Sequence, residues 1–139
     1  MPSKWSWNAH SIEWHCDGAR VSRLILDEYQ VAFHLASDCW ALTLTLEQVF
    51  TWRDEAGQCA IDPQFRSGLS RLLPALGATA DSITIDEQGN LALRFQSPYL
   101  LHASPGMETE AWNLAGSGDL EGLLYVAAPG GLTRWEPRV

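Results

Sequence analysis

Period-two alternation of apolar and polar residues constrains this chain more than any other feature. Tyr29, Val31, Phe33 and Leu35 alternate with Gln30, Ala32, His34 and Ala36. After Ser37-Asp38, Trp40, Leu42, Leu44 and Leu46 alternate with Ala41, Thr43 and Thr45. Successive strand side chains point to opposite faces, so this pattern predicts half-buried strands joined by tight turns. Leu24 to Leu26 before, and Val49 to Trp52 after, extend the reading into one antiparallel meander. Ser82-Ile83-Thr84-Ile85-Asp86, a turn at 87–90, then Leu91, Leu93 and Phe95 predict a second hairpin. Further strands are predicted at 99–102, 112–114, 123–126 and 132–135, about nine in all.

One segment breaks the pattern. Asp62-Pro63 has the chemistry of a helix start, because Asp caps free N–H groups and Pro suits the first helical position. Phe65, Leu69, Leu72, Leu73 and Leu76 follow at helical spacing, with Arg66, Ser67, Ser70 and Arg71 on the other face. Pro74 and Gly77 stop the helix, which is expected near 63–75. The fold class is therefore α+β: mainly antiparallel sheet, curled or two-layered, with one short helix. Residues 1–20 read as an irregular N-terminal arm carrying Trp5, Trp7 and Trp14, and residues 21–139 as a single β-rich domain.

A chain of 139 residues is enough for one self-sufficient core. Its formal charge is −8, from 17 acidic and 9 basic residues. Such a chain repels phosphate and anionic lipid surfaces, so neither nucleic acid nor membrane is expected as a partner. Lys4 is the only lysine, which leaves the body of the chain without a Schiff-base or phosphate-loop lysine. Cys16, Cys39 and Cys59 match no disulfide or zinc spacing, and a reducing, cytoplasmic setting is expected.

Little in the sequence points to catalysis. His10, His15 and Cys16 lack the spacing of a zinc site, and Gly116-Ser117-Gly118-Asp119 is followed by neither Lys-Ser nor Lys-Thr. No catalytic residue, cofactor or metal is assigned. Carboxylates instead recur in pairs at predicted turns. Asp54, Glu55, Asp86, Glu87, Glu108 and Glu110 are the candidates for a partner-binding acidic face, which would steer in a basic protein. The alternative is a small-ligand-binding or enzymatic β-domain whose pocket is lined by His34, His102, Trp40 and Tyr99. A third reading is oligomerisation through exposed strand edges; the oligomeric state is left open.

The stretch Glu110-Ala111-Trp112-Asn113-Leu114, a glycine turn, then Pro129-Gly130-Gly131-Leu132 and Trp135 resembles a family of small uncharacterised bacterial domains. The hairpin around 86–95 is similar too, and the likeness runs from Val21 to Trp135. It implies a bacterial cytosolic protein and carries over no catalytic residues. Small acidic proteins of this kind resemble the immunity proteins of polymorphic toxin systems. The resemblance therefore implies a non-enzymatic immunity protein that occludes a basic toxin domain.

Overall fold

The computed structural model describes residues 7, 8, 10–65 and 68–136. Twelve strands form among them: β1 Ser11–His15, β2 Arg20–Leu26, β3 Val31–Ala36, β4 Trp40–Leu46, β5 Phe50–Asp54, β6 Gly57–Ile61, β7 Ala80–Asp86, β8 Leu91–Phe95, β9 Leu100–Ala103, β10 Trp112–Gly118, β11 Leu124–Ala128 and β12 Gly131–Trp135. They make two six-stranded sheets, β1-β7-β8-β9-β5-β6 and β12-β11-β10-β4-β3-β2. Every pairing is antiparallel.

The mainly antiparallel architecture is the expected one, with three more strands than the nine anticipated. The meander from β2 to β4 forms as read, but β5 does not extend it. The chain leaves the second sheet after Leu46 and enters the first, where β5 pairs with β9 and β6. Within the segment read as an N-terminal arm, Ser11–His15 is an edge strand, and Ile12 and Trp14 are buried.

The sheets face one another across a single core. Phe33 of the second sheet stacks on Trp52 of the first, with ring centroids 6.0 Å apart. Trp14 meets Trp40 edge-on at 5.8 Å. Trp112 spans the layers, its indole N–H donating to the Gly89 carbonyl at 2.8 Å. Backbone hydrogen bonds also stitch the layers at their margins. Val21 N–H donates to Ala78 O at 3.0 Å, and Leu132 N–H to Glu87 O at 3.2 Å.

The expected helix is displaced and tighter. Asp62 does not cap a helix; its carboxylate closes a local turn by accepting the Gln64 N–H at 3.0 Å. Gly68, at φ 77°, adopts the left-handed conformation that suits glycine. A 3₁₀ helix then runs over Leu69–Ala75 and includes Pro74. With three residues per turn, Leu69, Leu72 and Ala75 share one buried side. Leu73, Leu76 and Phe65, which α spacing placed on the same stripe, are exposed. Arg66 and Ser67 lie outside the described residues.

Candidate partner-binding pole

Antiparallel register determines which turns share an end of the molecule. In the first sheet Leu91 pairs with Ala103, and Ile85 with Leu91. The 86–90 turn and the loop after β9 are therefore neighbours. In the second sheet Trp112 pairs with Leu46 and with Ala127. The 47–49 crossover and the 129–130 turn join the same pole, and Glu47 N–H donates to Ala111 O at 2.9 Å. Asp54 and Glu55 lie at the opposite end, in the β5–β6 turn beside the start of β9. The six sequence candidates thus divide four to two between the poles.

Their bonding divides them further. Asp54 is consumed by the fold: Arg71 donates to it from Nε at 3.1 Å and from Nη2 at 2.5 Å, and Ala56 N–H at 2.9 Å. The Arg71 hydrogen bond holds its carboxyl below the usual range, against the opposing effect of burial. Asp86 organises its own turn, accepting from Gln88 N–H, Asn90 N–H and Asn90 Nδ2 at 3.0, 2.9 and 2.9 Å. Burial works to raise its pKa, and these hydrogen bonds outweigh it, so the net shift is downward. Glu55 and Glu108 are exposed. Glu87 meets His10 Nδ1 at 3.1 Å in a solvent-exposed pair, a contact worth little in water. Glu110 accepts from Asn113 Nδ2 at 2.9 Å.

Glu47, which sequence reasoning passed over, belongs to this pole. Its pKa is raised, first by partial burial and then by the Glu110 carboxylate. Like charges are thus held together here. At the same pole opens a hollow of about 790 Å³, lined by Gln48, Val49, Gln64 and the loop 104–109. Gln48 Nε2 donates to Thr109 Oγ1 at 2.6 Å across its floor. Gly106 is required in that loop, because a Cβ there would run into the Thr109 carbonyl. Around the hollow, Met107 is 94% exposed and Val49 53%, while Phe65, next to Gln64, is 78% exposed. The sequence signal for this loop was Ser104-Pro105-Gly106, which marks a turn but not what it displays.

The residues of the alternative reading do not converge. His102 projects from the outer face of the first sheet, in line with Thr51 and Ala92. His34 lies on the outer face of the second, where its Nδ1 contacts Thr43 Oγ1 at 2.9 Å. Trp40 packs inward on Trp14. Tyr99 stacks on Trp52 at 5.3 Å. Cys16 is buried, Cys59 half-buried and Cys39 exposed. Among the described residues no three His, Cys, Asp or Glu side chains are grouped to hold a metal ion. No described helix is long and apolar enough to cross a membrane.

Fold and pole together define a two-sheet antiparallel β domain with an acidic, apolar-centred end. The chain belongs to DUF6188, a family of unknown function, whose model matches residues 12–136. The match begins at β1, nine residues ahead of the expected start at Val21. No curated protein and no solved structure matches the chain.

Proposed function

We propose that this chain is a non-enzymatic protein-binding domain whose acidic pole receives a basic partner. In its most concrete form it is an immunity protein that neutralises a bacterial toxin by covering it, acting in the cytosol. One observation carries the reading. Met107 and Val49 stand exposed at the hollow, with Phe65 exposed beside the lining residue Gln64; Glu108 lines it, and Glu47, Glu87 and Glu110 lie in turns of the same pole. Protein interfaces combine apolar anchors at the centre with a polar rim. The crowding of Glu47 and Glu110 adds to the argument, because a cationic partner would relieve it. Glu87, Glu108 and Glu110 steer the encounter, and Met107 anchors the complex.

Co-expression with the product of the neighbouring gene tests the reading, which expects a basic, toxic domain there. Rescue of growth and a 1:1 complex are expected. Reversing Glu87, Glu108 and Glu110 should slow association by about tenfold or more at low salt, and Met107→Ala should mainly speed dissociation. A neighbouring product that is neither toxic nor bound would overturn the immunity role. Binding that ignores the three reversals would overturn the assignment of the pole.

A further inference from the structure

Two adjacent rows of side chains cross the outer face of the second sheet. Its register forms one unbroken transverse row: Arg23, His34, Thr43, Ala115, Leu124, Trp135. The adjoining row runs from Ile25 through Thr45 to Thr133. Neither row contains a carboxylate, although the chain carries 17. The carboxylates sit in the turns at the two poles and along other faces. A protein of charge −8 repels its own copies, and these two rows add no carboxylate to that repulsion.

The long row is also complementary to itself. The sheet order β12-β11-β10-β4-β3-β2 has its centre between β10 and β4. A two-fold axis along the strands at that centre exchanges β12 with β2, β11 with β3, and β10 with β4. Two copies packed face to face then place Arg23 of each over Trp135 of the other. His34 falls over Leu124, and the small side chains of Thr43 and Ala115 lie at the axis. Trp135 is 53% exposed, and Arg23 is in no ion pair with a described residue. An arginine over an indole face is a favourable pairing. Packed sheets stand about 10 Å apart, a gap that Arg23 and Trp135 fill at the margins.

We propose that this face is a self-association surface, through which a second copy of the chain packs sheet on sheet by an isologous two-fold contact. The two rows hold 12 residues per copy, against about 20–30 in a standard interface. The contact is therefore small, and its equilibrium is set by protein concentration. The contact leaves the acidic pole free, so it does not depend on the partner-binding reading.

Sedimentation velocity from micromolar to near-millimolar protein tests the proposal. The mass should rise from the 15.4 kDa monomer toward twice that value. Ala115→Glu, which sets two carboxylates at the axis, should abolish the rise while leaving the circular dichroism unchanged. Arg23→Ala and Trp135→Ala each remove both cross-pairs and should weaken the dimer by about tenfold. The exchanged variant, Arg23→Trp with Trp135→Arg, rebuilds the pair by symmetry and should recover most of that loss. If Ala115→Glu misfolds, the marginal variants and the exchange still decide. A monomer at every concentration overturns the proposal. So does a dimer indifferent to Arg23 and Trp135, or one that the exchange fails to restore.

Discussion

Glu47 shows how a single side chain can work against the fold while serving a surface. Partial burial and the nearby Glu110 raise its pKa. A carboxyl whose folded pKa is raised contributes stability below the unfolded value of about 4.3, and loses it as pH rises through the folded pKa. At neutral pH the ionised group is therefore a liability. Glu47→Gln should raise Tm at pH 7 and converge with the parent chain in acid. Because the group is largely solvated, the gain is a few tenths of a kcal/mol, or about 1–2 °C. The same substitution should weaken binding to a basic partner. Differential scanning calorimetry across pH, together with titration of the partner, reads both signs. A variant less stable than the parent at pH 7 would refute the electrostatic account.

At the scale of elements, Trp52 on β5 joins the layers. It is fully buried and contacts Phe33, Phe95 and Tyr99. Trp52→Ala should cost about 3–5 kcal/mol, read from the urea midpoint. A loss below about 1 kcal/mol would mean the neighbouring rings close the space. Arg71 joins the 3₁₀ helix to the β5–β6 turn through Asp54. Asp54 has a lowered pKa, so its contribution is present above the ordinary carboxylate range and lost as pH falls through the folded value. Arg71→Ala should lower Tm at neutral pH, and the two Tm curves should meet in acid; parallel curves would assign the loss to packing. The strands with three or four inward apolar residues, such as β4, were legible from alternation alone. β1 and β6 were not: β1 lies in the segment read as an irregular arm, and β6 opens on Gly57-Gln58 and turns only Cys59 and Ile61 inward. Nor does period two say which sheet a strand joins, and so β5 was placed with the wrong neighbours. The helix misled because spacings of three and four overlap across one short segment.

For the molecule as a whole, antiparallel topology gathers turn carboxylates into two poles. This is why the candidate site was only partly readable. That the turns are acidic is local information, whereas the separation of Asp54 and Glu55 from Glu87, Glu108 and Glu110 follows from pairings between strands far apart in sequence. It also explains why Glu47 escaped notice: its neighbour Glu110 is a contact made by folding. The arrangement yields a prediction with two opposite signs. Within each pole the carboxylates repel one another, and the net charge of −8 adds to that. The Debye length falls from about 30 Å at 0.01 M salt to about 8 Å at 0.15 M. Over that range screening should raise the Tm of the free chain, by about 1–3 °C for relief of under 1 kcal/mol. The same screening should lower the association rate with a basic partner, because long-range steering is what it removes. Reversing Glu108 and Glu110 to lysine should flatten both responses, since it cuts the repulsion and the steering at once. Thermal melts and stopped-flow association over the same salt series measure the pair. If Tm rose while association stayed constant, the pole would be a crowded surface without a steering role. If both rose with salt, the partner would be recognised through apolar contact alone.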